Sequence, residues 1–83
     1  MMTKQTVTVT DAEGLHLRPA GLLSKIARNF TCETTIIYNG IEINAKKMMA
    51  IMSAGITAGA EIEIACDGEN EAVALSDMVA FFG

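Results

Sequence analysis

One histidine and one proline occur among the 83 residues, and both lie in the run Gly14-Leu15-His16-Leu17-Arg18-Pro19-Ala20. Imidazole can act as a nucleophile and as a proton carrier near neutral pH. Arg18, two residues after His16, carries a planar fork of N–H donors that matches the oxygens of a phosphoryl group. These residue types favour phosphoryl chemistry, in which the ring of His16 accepts the group and Arg18 steadies its charge.

A strand before this run and a helix after it are expected to position His16. Thr6 to Thr10 alternates β-branched side chains, which is typical of a strand whose two valines face a core. From Leu17 the apolar residues recur at helical spacing, and Pro19 falls in the first turn, where its missing N–H has no consequence. His16 is then the N-cap. The free N–H groups and partial positive charge of a helix N-terminus favour the neutral, nucleophilic imidazole and would stabilise a captured phosphoryl dianion.

The middle of the chain predicts a hairpin. Glu33 to Tyr38 and Ile41 to Ala45 are two β-type runs separated by Asn39-Gly40, which is the strongest short hairpin signal. A two-residue turn pairs the ends of these runs, and we assign to the core the face that carries Thr34, Ile36, Tyr38, Ile41, Ile43 and Ala45.

The remaining segments predict a short helix, a strand and a final helix. Lys46 to Ser53 contains good helix formers, and Gly55 is placed to end this helix. Ala60 to Cys66 alternates again, and Asn70 can cap the last helix. The order βαββαβα predicts an α+β open-faced β-sandwich, in which a four-stranded antiparallel sheet carries three helices on one face and residues 1–83 form a single domain.

The composition narrows the classes of function. The net charge of −4 argues against nucleic acid as a partner. Five of the six basic residues nevertheless lie between positions 18 and 47, and this relatively positive region suits an acidic protein partner or a phosphate. No apolar stretch approaches the roughly 18 residues of a membrane span, and the start lacks the apolar segment of a signal peptide. We therefore expect a cytoplasmic protein without membrane insertion.

Other kinds of site lack the residues that they need. Cys32 and Cys66 have no metal-ligand spacing and are expected to be small, buried, reduced side chains, so no metal and no cofactor is expected. The chain has no second histidine, no phosphate-loop motif and no obvious pair of catalytic carboxylates. A lone nucleophile without a substrate pocket indicates a carrier on which other proteins act, rather than a stand-alone enzyme.

The run from Gly14 to Ala20 resembles the active-site signature of the HPr family, the histidine phosphocarriers of the phosphoenolpyruvate-dependent sugar phosphotransferase system. The resemblance extends without gaps from about Val7 to Phe82 through Tyr38-Asn39-Gly40, Asn44-Ala45-Lys46, Ile51-Met52-Ser53, Gly59-Ala60-Glu61 and Gly68-Glu69. It implies that His16 accepts phosphate through Nδ1 from phosphorylated enzyme I and passes it to enzyme II A-type domains. It also implies that Arg18 and Leu17 stabilise the phosphohistidine.

The resemblance implies a surface that faces partner proteins, and we expect the protein to be a monomer. The matching positions are Leu17, Gly21, Ser24, Lys47, Met48, Met49 and Met52. Flexible methionines suit a protein that must fit several partners. Many members of the family carry a regulatory serine, phosphorylated by a dedicated kinase, where this chain has Lys47. Regulation of that type is therefore not expected here.

Two other functions stay open at this point. A regulatory adaptor of the same fold would use phosphorylation of His16 only to switch the binding of a partner, and would not pass the group on. A small-molecule-binding regulatory module would show an apolar pocket and thermal shifts with ligand, and His16 would be dispensable in it. Nothing in the sequence favours the second of these.

Overall fold

The structure, a computed structural model, describes residues 2–82. Its elements are β1 (Thr3–Thr8), α1 (Leu17–Arg28), β2 (Glu33–Tyr38), β3 (Ile41–Asn44), α2 (Met48–Ser53), β4 (Glu61–Asp67) and α3 (Glu71–Ala80). The four strands form one antiparallel sheet in the order β1-β4-β2-β3. The predicted βαββαβα order and α+β open-faced sandwich are confirmed.

The core lies between one face of the sheet and the three helices. Alternate residues of the central strands point to it because successive side chains of a strand face opposite ways. The largest fully buried side chains come from β2, β4 and all three helices, and they include Leu23, Ile36, Ile51, Ile62, Ile64 and Met78. This packing holds the N-terminus of α1 against the rest of the molecule.

The hairpin register is confirmed, but one residue of its predicted core face is exposed. Tyr38 pairs with Ile41 and Ile36 pairs with Ile43 across the Asn39-Gly40 turn. Ile41 is 64% exposed and lies outside the core cluster, so its assignment to the core was wrong. It is the first residue of an edge strand after the turn, where the hairpin end extends past the buried part of the sheet.

The first strand lies earlier than the valine pattern predicts. β1 spans Thr3–Thr8 and pairs with β4 from Thr3 opposite Cys66 to Thr8 opposite Glu61. Backbone pairing with a central strand does not require apolar side chains, so the polar start of β1 joins the sheet as well. Val9 follows the strand, is buried as predicted, and keeps backbone hydrogen bonds to Ala60 and Gly59, each with an N–O distance of 2.9 Å.

The last helix begins where predicted, but the side chain of Asn70 does not cap it. Asn70 is the N-cap of α3 with a φ of 61°, and its side chain makes no capping hydrogen bond. The carboxylate of Glu71 instead accepts a hydrogen bond from the Gly68 N–H at 3.0 Å. This backbone hydrogen bond lowers the pKa of Glu71.

Cys32 and Cys66 are both buried and free, as the sequence predicts. They lie close together, because Cys66 pairs with Thr34 across the sheet and the Gly68 backbone packs against Cys32. Burial, and then the neighbouring Cys32 and Glu71, raise the pKa of the Cys66 thiol from an ordinary value of 9.0 to about 11. The folded protein therefore keeps this thiol neutral in alkaline solution, where the unfolded chain ionises it.

We expect this thiol to make the protein less stable as the pH rises from 9 to 11. In that window the unfolded state has lost the Cys66 proton and the folded state has kept it, so the free energy of unfolding falls by about 1 kcal/mol per pH unit. Denaturant unfolding at several pH values measures the slope, with Cys66→Ala as the comparison. The variant is less stable at every pH but should lose this part of the slope. Identical slopes for the two proteins would contradict the assignment.

Candidate functional site

The loop between β1 and α1 is pressed against the segment that follows α2. Leu15 is buried, and its N–H donates to the Ile56 carbonyl oxygen at 3.0 Å. Gly14 has a φ of +75°, and a Cβ at this position would collide with the Ile56 carbonyl oxygen and lie 2.9 Å from Thr57 Cα. Only glycine therefore allows the chain to enter α1 along this path. The path places His16 at the first turn of the helix.

His16 is the N-cap of α1, as predicted. Its backbone is extended, with φ −85° and ψ −158°, and its carbonyl accepts the first helical hydrogen bond from the Ala20 N–H at 2.9 Å. The side chain makes no capping hydrogen bond and is 40% exposed. Leu17 and Arg18 lie at the first two helical positions, where an α-helix offers their N–H groups no acceptor, and Pro19 has no N–H. The terminus therefore presents two backbone donors beside the imidazole.

Two carboxylates lie close to Nε2 of the imidazole, the ring nitrogen farther from the backbone, which we call the outer nitrogen. The Nε2 atom of His16 is 3.2 Å from Oε1 of Glu13 and 3.6 Å from Oδ1 of Asp11. Sequence reasoning missed both residues. Their positions three and five residues before His16 were visible as a signal, but whether either side chain would turn back to the ring depends on the loop path that Gly14 and Ile56 impose.

Arg18 is exposed, and its guanidinium has no hydrogen-bond or ion-pair partner among residues 2–82. It borders a shallow groove with Asp11, Leu22 and Phe81, whereas His16 borders another with Met52 and Ile56. The structure therefore does not hold the guanidinium against the imidazole. The role expected of Arg18 depends on its long side chain being free to turn toward a phosphoryl group.

The apolar surface beside His16 combines α1 and α2. Leu17 is 60% exposed and Met49 is 64% exposed, while Met48 and Met52 are partly buried against the core. Gly21 lets the two helices approach closely, because a Cβ there would lie 3.3 Å from Met48 Sδ. Met52 borders the same groove as His16, and Leu17 follows His16 in the chain, so apolar side chains lie beside the histidine on the side of α2.

Ser24 does not belong to this surface, contrary to expectation. It is 1% exposed, and its hydroxyl donates to the Gly21 carbonyl at 3.0 Å. A serine on the buried side of a helix satisfies its hydroxyl on the preceding turn, which takes it away from any partner. The same hydroxyl accepts a hydrogen bond from Arg28 at 3.3 Å, and Arg28 also donates to the Lys46 carbonyl at 3.3 Å.

Lys47 is the exposed N-cap of α2. The hydrogen bond from Arg28 to the Lys46 carbonyl joins the C-terminus of α1 to the start of α2, so Arg28, Lys46 and Lys47 gather at one end of the apolar surface.

Within residues 2–82, no three His, Cys, Asp or Glu side chains are placed to hold a metal ion. None of the helices in that part of the chain has the length and apolar character needed to cross a bilayer.

Comparisons with known proteins agree with this architecture. The family model described as "PTS HPr component phosphorylation site" matches residues 3–83. The phosphocarrier protein HPr of Buchnera aphidicola subsp. Acyrthosiphon pisum is 39% identical over 77 residues, which cover 93% of this chain and 91% of that protein. The crystal structure of HPr from Bacillus anthracis superimposes with a TM-score of 0.93 at 34% identity, covering 99% of this chain and 98% of that one.

A third comparison concerns assembly. The catabolite repression protein Crh of Bacillus subtilis, crystallised as a dimer with swapped domains, superimposes with a TM-score of 0.78 at 35% identity over 94% of this chain and 90% of that one. Dimers are thus found among structures similar to this one.

The protein is a small α+β sandwich that presents a partly exposed histidine at a helix N-terminus. The chain belongs to the HPr family of the phosphotransferase system. It is a phosphocarrier rather than a stand-alone enzyme, and its partners are proteins of that system.

Proposed function

We propose that this protein accepts a phosphoryl group on Nδ1 of His16 from phosphorylated enzyme I and passes it to enzyme II A-type domains during sugar uptake. One observation carries the proposal: the imidazole lies at the N-terminus of α1, partly exposed and not used for capping. The Nδ1 lone pair attacks phosphorus while the bond from phosphorus to the donor breaks, and its electron pair stays with the donor. Onward transfer reverses these roles, with Nδ1 as the leaving atom.

The carrier contributes position and charge to this transfer. Phosphoryl transfer passes through a loose transition state, so alignment and neutralisation of the phosphoryl oxygens supply most of the catalysis. The free N–H groups of Leu17 and Arg18 donate hydrogen bonds to those oxygens in this proposal, and the helix dipole favours the dianion. The free guanidinium of Arg18 adds a second set of donors when it turns toward the group.

The partner surface that we propose consists of Leu17, Gly21, Lys47, Met48, Met49 and Met52. Ser24, which the sequence pattern had included, is left out because it is buried. Exposed apolar side chains beside the reactive atom suit a docking surface, and flexible thioethers fit partners of different shape. We further propose that the single domain acts as a cytoplasmic monomer. Sedimentation of the 8.8 kDa chain tests the monomer.

The test is phosphorylation by purified enzyme I with labelled phosphoenolpyruvate. An acid-labile label that maps to the peptide containing His16 is the expected result, and no incorporation would overturn the proposal. Adding an enzyme II A-type domain then separates a carrier from an adaptor. A carrier loses its label to that domain, whereas an adaptor keeps it.

Lys47 leads to a prediction about regulation. A lysine has no hydroxyl, so we expect the serine kinase that acts on many members of the family, supplied with ATP, to leave the chain unmodified. Lys47→Ser should gain one phosphate at position 47, as intact-mass and peptide analysis would show. Ser53 is exposed at the other end of the helix whose N-cap is Lys47, so the kinase could reach it. Phosphate on Ser53 of the unchanged protein would therefore contradict the expectation.

A further inference from the structure

We infer that Glu13 is a positioning residue for His16: its carboxylate holds the imidazole with the proton on Nε2, which leaves the lone pair on Nδ1. The inference rests on the proposed function, since it explains why Nδ1 is the nitrogen that accepts phosphate. Asp11 supports it by shaping the loop that carries Glu13.

Two carboxylate oxygens lie close to Nε2 of His16. Nε2 lies 3.2 Å from Oε1 of Glu13 and 3.6 Å from Oδ1 of Asp11, and both contacts are charge contacts rather than aligned hydrogen bonds. A neutral imidazole has a single N–H, and a carboxylate only accepts hydrogen bonds. Carboxylate oxygens this close to Nε2 repel a lone pair there and attract an N–H, so they favour the neutral ring with its proton on Nε2 and its lone pair on Nδ1.

The loop before α1 fixes the backbone that carries Glu13. The Glu13 N–H donates to Oδ1 of Asp11 at 3.0 Å, and the Gly14 N–H donates to the Asp11 carbonyl at 3.0 Å. Asp11 thus fixes the turn with both its side chain and its backbone. The hydrogen bond from Leu15 to Ile56 anchors the other end of the loop.

The charge of the His16 ring changes during transfer. When Nδ1 forms its bond to phosphorus, the ring becomes cationic and keeps its Nε2 proton, so no proton has to leave. A carboxylate at 3.2 Å favours this cation. The other residues that border the same groove, Leu15, Met52, Gly55, Ile56 and Thr57, are uncharged, and Arg18 borders a different groove. Glu13 and Asp11 are therefore the charges that face the outer nitrogen.

The pair contributes little to folding, which makes its role testable. Glu13 is well exposed, and a surface ion pair of this kind adds little to the stability of a protein. A variant that lacks the carboxylate should fold normally, so that a change at His16 reports on positioning alone.

The experiment is nitrogen NMR of the imidazole, because His16 is the only histidine and gives one set of ring signals. In the unchanged protein above the titration of the ring, Nε2 should show the protonated shift and Nδ1 the unprotonated one. In Glu13→Ala the two shifts should move toward each other as the second tautomer becomes populated. The rate of phosphoryl acceptance from enzyme I should fall about tenfold, because the charge that favours the Nε2 proton and the cationic ring is lost.

Two further variants sharpen the result. Glu13→Gln keeps an acceptor oxygen but not the charge, so it should restore the ring shifts and the rate only in part. Glu69→Ala removes an exposed acidic charge from the β4–α3 connection and should leave both unchanged. Ring shifts in Glu13→Ala identical to those of the unchanged protein would overturn the inference while the proposed function stood. Failure of the unchanged protein to accept phosphate would overturn the proposed function itself.

Discussion

His16→Ala is expected to abolish phosphoryl acceptance from enzyme I, with a loss beyond about 10³-fold, because the chain has no second imidazole to replace the nucleophile. The fold should survive. The ring is partly exposed and its contacts are surface ion pairs, so the free energy of unfolding should change by less than about 1 kcal/mol. Labelling with phosphoenolpyruvate and enzyme I measures the first effect, and denaturant unfolding measures the second.

Arg18→Ala is the informative comparison in the same assay. It keeps the acceptor nitrogen and removes only the guanidinium, so transfer should slow by about tenfold or more without reaching zero. Stability should not change, because the side chain is exposed and makes no hydrogen bond within residues 2–82. Label that persists in His16→Ala, or that disappears equally in both variants, would be incompatible with the roles assigned to the two residues.

Gly14→Ala is expected to produce the largest loss of stability among single changes near the site, about 2–5 kcal/mol. Two effects combine. A side chain is strained at a φ of +75°, and the new Cβ would collide with the Ile56 carbonyl oxygen, which is rigid backbone. Either the chain unfolds more easily or the loop moves away from Ile56, and a moved loop also displaces His16. The free energy of unfolding, measured by chemical denaturation, and the rate of phosphoryl acceptance should both fall.

Gly40→Ala separates strain from collision. Its φ of +79° is almost the same, but nothing lies within 4 Å of a Cβ at that position. The loss there should be about 1 kcal/mol, and phosphoryl acceptance should be normal because the hairpin is remote from the loop. Equal losses in the two variants would show that the contact with Ile56 does not hold the loop.

The loop and the first turn of α1 thus perform different tasks. The loop, pinned by Gly14 and Leu15, determines where the ring lies and what meets its outer nitrogen. In the function that we propose, the helix N-terminus provides the donors and the dipole for the group that the ring receives. In this arrangement the carrier needs no substrate pocket of its own, which agrees with its membership of a family whose members act through partner proteins.

Much of the fold and part of the site could be predicted from local patterns. His16 as the N-cap followed from Pro19 and the change of period at Leu17, since both signals act within one helical turn. The hairpin register followed from the Asn39-Gly40 turn, because a two-residue turn determines which residues pair. The sequence by itself therefore determined which residue we propose as the nucleophile, and it correctly predicted the helix N-terminus that holds it.

Tertiary structure decided what surrounds that nucleophile. Glu13 meets Nε2, Ser24 is buried and Ile41 is exposed because of how segments distant in sequence pack together. The Ile56 carbonyl, forty residues after His16, directs the loop that aims Glu13. Periodicity tells which face of an element is apolar, but it does not tell how far the neighbouring elements extend over that face or where a loop between them is anchored.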